Sequence, residues 1–287
     1  MSRSLEQIRL LTGDDLSLIT RLLNTSEYIY QRFTLDELPS LLKHYPTVGL
    51  FNGTSLRGFL LSQTVNPPSA WLGGFGVSWT ESHSFIKLLD MLLEQLTRQL
   101  ITRGVRYLHY SGNDLQNDWL RDVLLPRGFR PYRLLYAYDK FDFDVPTQGN
   151  QHVKLRPVEA ADIPALLAIE EVCFDDFWRY DAISFADIAA THPYFVVAEL
   201  DGKVIGYQFN ALDGEFGYLV RIAVHPSLNG QGIGSRLMAE AIRFFKQANV
   251  LRIMLNTQDD NAHAHRLYEW FGFVRISQVG FVLRKNL

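Results

Sequence analysis

Three glycines at alternating positions stand at the start of a predicted helix. They lie in the segment Asn229-Gly-Gln-Gly-Ile-Gly234, which follows an apolar, strand-like run ending at Val224-His-Pro226. Glycine allows a backbone to approach a ligand closely and to adopt conformations that other residues avoid. At a helix N-terminus, converging N–H groups and the helix dipole both favour a negatively charged ligand. The segment therefore predicts a diphosphate cradle that needs neither a metal nor a lysine, although a tight strand-to-helix turn would use the same glycines.

Two other phosphate-binding motifs do not fit this segment. A Walker loop requires Gly-Lys-Ser/Thr, whereas Gly234 is followed by Ser235 and an arginine. A dinucleotide fingerprint follows the first strand of a βαβ unit, with an acidic residue about 20 positions further on. The present segment follows a predicted hairpin and a fourth strand instead.

The glycine segment and a later segment together resemble the motifs of the GCN5-related N-acetyltransferase (GNAT) superfamily. The first is similar to the family pattern Gln/Arg-x-x-Gly-x-Gly/Ala, with the shorter Asn229 at the first position. The second, Asn261-Ala-His-Ala-His-Arg-Leu-Tyr-Glu-Trp-Phe-Gly-Phe273, resembles Asn-x-x-Ala-x-x-x-Tyr-x-x-x-Gly-Phe. The resemblance covers residues 153–287 well and residues 8–140 in outline. It implies an N-acyltransferase that uses acetyl-CoA as co-substrate and no metal.

The resemblance assigns the coenzyme to the fourth strand, the glycine segment and the start of the last helix. The strand's backbone would pair with the pantetheine amides like an added strand, and one amide, of Ile222 or Ala223, would polarise the thioester carbonyl. Asn261 is also expected to cap its helix on local grounds alone. The predicted coenzyme-binding residues are Ile222, Ala223, Val224, Asn229, Gly230, Gln231, Gly232, Ile233, Gly234, Ser235 and Asn261.

Acyl transfer also requires a proton donor for the departing thiolate and a base for the amine. By resemblance the donor is Tyr268, because a phenol with a pKa near 10 stays protonated at pH 7. Packing of the ring into the core is the ordinary alternative. The first candidate for the base is Glu215, at the start of the fourth strand, and the second is Asp213. His225 is discounted because it lies in the Val-His-Pro turn, and His263 and His265 are discounted because residues two apart do not share a helix face.

Acceptor recognition in this family comes from the loop between the first two helices. In this chain that loop reads Cys173-Phe-Asp-Asp-Phe-Trp-Arg-Tyr-Asp181. Aromatic rings and carboxylates suit a cationic amine, partly through cation–π attraction. The candidate acceptor-binding residues are Asp175, Asp176, Trp178 and Tyr180. A loop packed by its own aromatic rings is the alternative.

Composition sets the broad class of the protein. The 287 residues are 47% hydrophobic and 21% charged, with a net charge of −3, so no basic field predicts a nucleic acid or an anionic membrane as partner. The single cysteine, Cys173, excludes an intramolecular disulfide and a multi-cysteine metal site. The N-terminus lacks the pattern of a secretory signal, and no apolar run approaches membrane-spanning length. A soluble cytoplasmic protein is expected.

Three landmarks recur in the same order and predict a tandem duplication. Ile8–Leu16 recurs 147 residues later as Leu155–Ile163, and both predict a short strand that leads into a helix. A hairpin pattern begins at Val48 and again at Val196. It consists of an apolar run, a turn with Asn-Gly or Asp-Gly, and a second apolar run. An asparagine eleven residues before Gly-Phe occurs at Asn117 and again at Asn261.

The expected fold is α/β, with two tandem GNAT-like domains, each a mixed, mostly antiparallel sheet flanked by helices. The expected domains are residues 1–147 and 152–287, joined near residue 148 by a segment rich in Pro, Gly and amides. For the second half, periodicity predicts strands at 153–157, 215–224 and 251–257, helices at 162–173, 184–190, 234–248 and 261–271, a hairpin at 194–211 and a final strand pair at 272–284.

The first half has lost the glycines of the predicted cradle. When Val77 is placed opposite Val224, Phe85 and Lys87 stand where Gly232 and Gly234 stand in the second half. The segment from Ser82 onward predicts a capped helix directly after the strand. The expectation is a degenerate, non-catalytic first domain and a catalytic second domain.

The leading interpretation is transfer of an acetyl group from acetyl-CoA to a primary amine of a small molecule or peptide. A non-catalytic acyl-CoA sensor would keep the glycine segment without needing Tyr268. A protein N-terminal acetyltransferase and a mycothiol-synthase-like enzyme, which resembles the chain in its tandem layout, also remain open.

Overall fold

The computed structural model describes residues 6–78 and 84–287. Contacts divide the chain into two compact units. Unit 1 comprises residues 1–111, 118–131 and 283–287, and unit 2 comprises residues 112–117 and 132–282. These limits follow spatial contacts, whereas the predicted join near residue 148 concerns the origin of two duplicated sequences, so that join stays a prediction.

Unit 1 combines a mixed sheet with helices. Its helices are α1 (Leu16–Thr25), α2 (Leu38–His44), α3 (Phe85–Ile101) and α4 (Trp119–Leu124). Its strands are β1 (Glu6–Leu10), β2 (Tyr28–Gln31), β3 (Thr47–Asn52), β4 (Ser55–Asn66), β5 (Ser69–Val77) and β6 (Tyr107–Gly112). The order is β1-β3-β4-β5-β6, with β2 also on β5. Only β5 and β6 are parallel among the described pairs of this unit.

Unit 2 repeats this plan and includes a strand from the first half of the sequence. Its helices are α5 (Ile163–Cys173), α6 (Ala182–Thr191), α7 (Ile233–Gln247) and α8 (Ala262–Trp270). Its strands are most of β7 (Arg130–Lys140), β8 (Lys154–Pro157), β9 (Tyr194–Leu200), β10 (Lys203–Asp213), β11 (Phe216–Val224), β12 (Arg252–Gln258) and, up to residue 282, β13 (Val274–Asn286). The order is β13-β7-β12-β11-β10-β9-β8, and β11 and β12 are parallel. The expected α/β class, with mostly antiparallel sheets flanked by helices, is confirmed.

The predicted helix after the glycine segment packs as its periodicity indicates. The positions spaced three and four apart on α7 are all buried, and they pack against β11 and β12 in one hydrophobic cluster. These residues are Met238, Ala241, Ile242 and Phe245, each at most 1% exposed. The cluster fixes where α7 begins relative to the sheet, and thereby where the glycine segment lies.

The same ion pair occurs at corresponding positions of the two units. Arg9 donates to both carboxylate oxygens of Asp15 at 2.7 and 2.6 Å. Arg156 does the same to Asp162 at 2.7 and 2.8 Å. Each pair ties a strand, β1 or β8, to the start of the helix that follows it. This shared geometry supports a tandem duplication.

A second correspondence links a lysine to the glycine that follows a helix. In unit 2, Lys140 Nζ would lie 3.0 Å from a Cβ added at Gly272. In unit 1, Lys285 Nζ would lie 3.0 Å from a Cβ added at Gly128, and it donates to the carbonyl of Arg127 at 2.6 Å. Lys140 lies in the first half of the sequence yet belongs to unit 2, while Lys285 lies near the end of the second half and belongs to unit 1.

Two predicted elements require comment. The prediction of a final strand pair at 272–284 was wrong, because residues 274–286 form one continuous strand, β13. Gly280, the natural turn residue there, instead lies within the strand, where an added Cβ would meet Leu135 Cβ and the carbonyl of Gly112 at 3.2 Å. The predicted helix from Ser82 begins at Phe85 with Ser84 as its cap, and Ser82 itself lies outside the described residues.

Candidate active site

The glycine segment forms a turn that leaves its main-chain amides without partners. Gly230 and Gly232 have left-handed backbones, with φ of +78° and +74°. Within residues 6–78 and 84–287, the N–H groups from Gly230 to Ser235 donate no hydrogen bond. The first bond of α7 runs from the N–H of Arg236 to the carbonyl of Gly232 at 3.0 Å. Consecutive free donors at a helix N-terminus are what an anionic group requires.

One edge of β11 is open along the half that leads to this turn. Its other edge pairs with β10 from Phe216 to Val224. On the open side, β12 pairs only with Phe216, Gly217 and Tyr218. Beyond Tyr218, no strand in the described part of the chain takes this edge. The main chain at residues 219–224 therefore has no strand partner on this side, where a ligand can bind like an added strand, and the predicted positions Ile222, Ala223 and Val224 lie within it. The carbonyl of Val224 accepts a hydrogen bond from the Cys173 thiol at 3.3 Å.

Tyr268 lies inside unit 2 with an unpaired hydroxyl. It is 6% exposed, and its ring packs against those of Tyr138 and Phe273 at centroid distances of 5.9 and 6.2 Å. Its hydroxyl has no hydrogen-bond partner among the residues that the structure describes. Burial raises the pKa of this phenol above its ordinary 10, so the hydroxyl stays protonated at neutral pH. A buried, protonated and unpaired hydroxyl is suited to donate to a ligand.

The structure brings Tyr268, Ile222 and the glycine turn into one neighbourhood. Ile222 packs against the hydrophobic cluster that contains Tyr268. A Cβ added at Gly234 would meet the side chain of Leu267 at 3.5 Å, so α8 lies beside the N-terminus of α7. Asn261 caps α8 by accepting the N–H of Ala264 at 3.2 Å, as predicted. Its predicted contact with the coenzyme stays a prediction.

The two candidate bases do not join this neighbourhood. Asp213 ends β10 and Glu215 lies in the exposed turn before β11. The carbonyl of Glu215 accepts the N–H of Leu251 at 2.8 Å, at the end of β11 that pairs with β12. At about 3.3 Å per residue, Glu215 lies roughly 20 Å along the strand from Ile222. The assignment of a base to either carboxylate gains no support from this placement.

The loop of residues 173–181, here called the aromatic loop, already binds a cationic side chain of the protein itself. The guanidinium of Arg221, on β11, lies 4.2 Å from the ring centroids of both Phe174 and Tyr180. It also donates to the carbonyl of Trp178 at 2.9 Å. The cation–π attraction predicted for a substrate is therefore satisfied internally at Tyr180.

The two candidate acceptor-binding carboxylates of this loop, Asp175 and Asp176, have different surroundings. The carboxylate of Asp175 is 64% exposed and lies 3.9 Å from Arg133. Asp176 accepts the N–H of the following residue, Phe177, at 2.8 Å. Asp175 is thus the more accessible of the two for an acceptor amine, and its role there stays a prediction.

Arg221 is held by a buried carboxylate that the sequence analysis did not select. Glu170, 1% exposed on α5, accepts two bonds from Arg221 at 2.9 and 2.6 Å and one from the N–H of Tyr180 at 2.8 Å. The hydroxyl of Tyr207 donates to the same carboxylate. Buried charges are ordinarily paired. An arginine inside an apolar strand and a glutamate on the apolar face of a helix were therefore the signals that could have revealed this network.

A β-bulge at Val220 turns Arg221 toward the aromatic loop. The register places Arg221 opposite Phe209 and Leu219 opposite Asn210, which leaves Val220 as the extra residue on β11. Leu219 packs in the cluster with α7. In a regular strand, Leu219 and Arg221 would share the face toward α7, because residues two apart point the same way, and the bulge lets Arg221 face the aromatic loop instead. The bulge thus anchors the loop to the strand beside the open edge.

In unit 1 a strand of the protein occupies the edge of β5 that corresponds to the open edge of β11. β4 pairs with β5 along one edge, and β6 takes only Ser69–Trp71 of the other edge. The remaining part of that edge, residues 74–77, pairs with β2. The ring of Tyr28 stacks on Phe85 at 4.1 Å, and Phe85 is the first residue of α3. A ligand that binds like an added strand has no open edge there.

Two further observations concern the described residues alone. None of their helices is both long and apolar enough to cross a membrane. They also contain no group of three or more His, Cys, Asp or Glu side chains arranged to hold a metal ion.

Comparison with known proteins identifies relatives of the second half of the chain. The sequence model of the acetyltransferase (GNAT) family matches residues 163–273. An uncharacterized N-acetyltransferase of Methanocaldococcus jannaschii is 30% identical over 121 residues, which are 42% of this chain and 76% of that protein. A Bacillus subtilis protein named as an N-acetyltransferase for an alanine of ribosomal protein bS18 is 26% identical over 118 residues, 41% of this chain and 78% of that one.

A solved structure extends the likeness to both halves. The tandem GNAT protein from the clavulanic acid biosynthesis pathway superposes with a TM-score of 0.65 at 12% identity, over 98% of each chain. At this identity the likeness concerns the fold, and it supports two tandem GNAT-like domains. The matched segment, residues 163–273, contains the glycine turn, the open edge of β11 and Tyr268. This chain belongs to the GNAT family of acetyltransferases.

Proposed function

We propose that this protein transfers an acetyl group from acetyl-CoA to a primary amine and that unit 2 carries the activity. The observation that supports this most directly is the row of free amides from Gly230 to Ser235 beside the open edge of β11. The amides suit the diphosphate of a coenzyme, and the open edge suits an extended chain with amide groups. Ile222 packs on the cluster that contains Tyr268, and Leu267, the residue before Tyr268, lies beside Gly234.

In the proposed reaction the neutral amine nitrogen bonds to the thioester carbonyl carbon, the carbon–sulfur bond breaks, and the sulfur leaves as a thiolate. Tyr268 gives its hydroxyl proton to that sulfur. A main-chain N–H of Ile222 or Ala223 stabilises the negative charge on the carbonyl oxygen. The proton lost by the amine passes to solvent.

We propose that unit 1 does not bind the coenzyme. The edge of β5 that corresponds to the open edge of β11 is occupied by β2, and Phe85 and Tyr28 stack at the start of α3. A non-catalytic acyl-CoA sensor is a less suitable function for the chain as a whole, because it would not need an unpaired, buried Tyr268 hydroxyl.

The experiment is a thiol-release assay with acetyl-CoA and a panel of amines. The panel includes a peptide that begins with alanine, small aliphatic amines and an amine precursor of a small thiol. We expect amine-dependent release of free thiol and formation of the matching amide by mass spectrometry. Binding of acetyl-CoA without turnover on any amine would favour the sensor, and absence of both binding and turnover would refute the proposal.

A further inference from the structure

The segment that joins the two halves of the sequence lies directly on the glycine turn. The N–H of Asn150 donates to the carbonyl of Gly232 at 3.0 Å. The side-chain Nδ2 of the same residue donates to the carbonyl of Gln231 at 3.0 Å. One residue of the joining segment thus binds two consecutive carbonyls of the turn.

These two bonds determine where the free amides point. In a planar trans peptide, the carbonyl and the following N–H point in opposite directions. Because the carbonyl of Gln231 faces Asn150, the N–H of Gly232 faces away from the joining segment. Because the carbonyl of Gly232 also faces Asn150, the N–H of Ile233 faces away too. Two central donors of the predicted cradle are therefore oriented by contacts on the opposite side of the turn.

The approach of the two segments is close enough to require glycine at position 149. A Cβ added there would lie 2.3 Å from the main-chain nitrogen of Arg236 and 2.6 Å from the carbonyl oxygen of Gly232. Gly149 also has a left-handed φ of +65°. A third contact, from Arg243 on α7 to the side chain of Gln148 at 2.9 Å, holds the segment against the helix.

We infer that Asn150, placed by Gly149, is a positioning residue for the coenzyme-binding turn. This inference rests on the proposed function and adds to it that the joining segment is part of the machinery for binding the coenzyme diphosphate. Asn150 also accepts the N–H groups of His152 and Val153 within its own segment, at 3.0 and 3.4 Å. Its side-chain amide nitrogen donates to the turn alone, so Asn150 acts through the turn's amides and not on the reacting atoms. Removing its side chain leaves the carbonyl of Gln231 without this partner and lets the peptide rotate.

The test uses the full-length protein and compares two acyl donors. Acetyl-CoA carries the diphosphate, whereas S-acetylpantetheine lacks it and has the same thioester. For Asn150→Ala, we expect the KM for acetyl-CoA to rise by about 3- to 10-fold, the scale of one hydrogen bond. The kcat and the KM for the amine should stay as in the wild type, and kcat/KM with S-acetylpantetheine should not fall.

A second variant and a matched control accompany it. Gly149→Ala should raise the KM for acetyl-CoA further, because the added methyl displaces the segment from the turn. Gln151→Ala is the control, because the side chain of Gln151 bonds only to carbonyls within the joining segment. An unchanged KM for acetyl-CoA in both Asn150→Ala and Gly149→Ala would overturn the inference. Equal losses with both donors would also overturn it, since they indicate a general structural effect.

The two proposals can fail separately. If the wild-type protein acetylates no amine, the proposed function fails, and calorimetry with CoA then tests the joining segment by itself. Weaker CoA binding by Asn150→Ala than by Gln151→Ala supports the inference, and equal binding overturns it.

Discussion

The phenol oxygen of Tyr138 lies 2.8 Å from Nδ1 of His265. Nε2 of the same imidazole lies 3.2 Å from the carbonyl oxygen of Asp259, which can only accept a hydrogen bond. The proton on the ring therefore belongs on Nε2, and Tyr138 donates to Nδ1. Burial raises the pKa of the Tyr138 phenol, which keeps that donor protonated. The bond ties β7 to α8, the helix that carries Tyr268.

Replacement of Tyr138 by Phe should therefore lower the stability of unit 2. The variant leaves Nδ1 of His265 without its donor, and the expected loss in the free energy of unfolding is about 1 kcal/mol. Urea denaturation measures it. Tyr136→Phe is the matched control on the same strand, because the hydroxyl of Tyr136 has no hydrogen bond within the described residues. Equal midpoints for the two variants would contradict the expected role of the bond.

Replacement of Tyr268 by Phe should lower kcat by roughly 10²–10⁴-fold, the usual range for a lost general acid. Because the hydroxyl has no partner in the described part of the chain, its loss should leave the melting temperature nearly unchanged. Steady-state kinetics with the best acceptor of the panel, together with a thermal melt, decide this. Wild-type turnover by this variant would remove Tyr268 from the mechanism.

The pH dependence of the reaction follows from the direction of the Tyr268 shift. The acid form is the active form, and it is lost as pH rises through its pKa. Burial places that pKa above 10, so no alkaline decline from Tyr268 should occur below about pH 10. Over the same range the rate should rise with pH, since the neutral amine is the nucleophile. A decline in kcat near pH 8 that disappears in Tyr268→Phe would contradict this assignment.

Coenzyme binding should depend on Gly232 and not on the position that corresponds to it in unit 1. Gly232→Glu places a side chain and a negative charge at a left-handed position within the free amides, so binding of acetyl-CoA should be abolished. Phe85→Glu should leave the affinity unchanged even where it reduces the stability of unit 1. Isothermal titration calorimetry on both variants measures the affinities. Equal losses would refute the assignment of the coenzyme to unit 2 alone.

The bidentate pair of Arg156 and Asp162 should make stability depend on acid pH. Hydrogen bonds from Arg156 hold the pKa of Asp162 below its ordinary 3.8. A carboxyl with a lowered folded-state pKa contributes stability above its unfolded pKa, and that contribution is lost as pH falls through the folded pKa. Asp162→Asn should therefore cost about 1–3 kcal/mol at pH 7, and the difference from wild type should shrink below about pH 4. A difference that is constant with pH would contradict this account.

Local patterns were sufficient to predict most elements of the second half. Hydrophobic spacing predicted α5, α7 and β8–β12 within a few residues, and Asn261 was identified as a cap, because periodicity and capping depend on neighbours in the sequence. The final strand was wrongly predicted as a pair of strands, whereas Gly280, a residue type common in turns, provides close packing within one continuous strand.

Contacts between distant segments could not be predicted in this way. The placement of β7 beside β12 depends on strand pairing between residues more than a hundred positions apart. The hydrogen bonds between Glu170 and Arg221, and between Asn150 and the glycine turn, also join residues that are far apart in the sequence. For the same reason Glu215 was selected from the start of β11, although the open edge of that strand lies at its other end.

Unit 1 is built from both ends of the sequence, and this affects the order in which the protein can fold during synthesis. Domains generally fold as they leave the ribosome, the N-terminal one first. Here residues 283–287 belong to unit 1, where the N–H of Leu287 donates to the carbonyl of Arg106 at 2.9 Å. Unit 1, most of which is translated first, therefore stays incomplete until all of unit 2 has been translated. A chain that lacks residues 283–287 would leave the carbonyl of Arg106 in unit 1 without its hydrogen bond from Leu287.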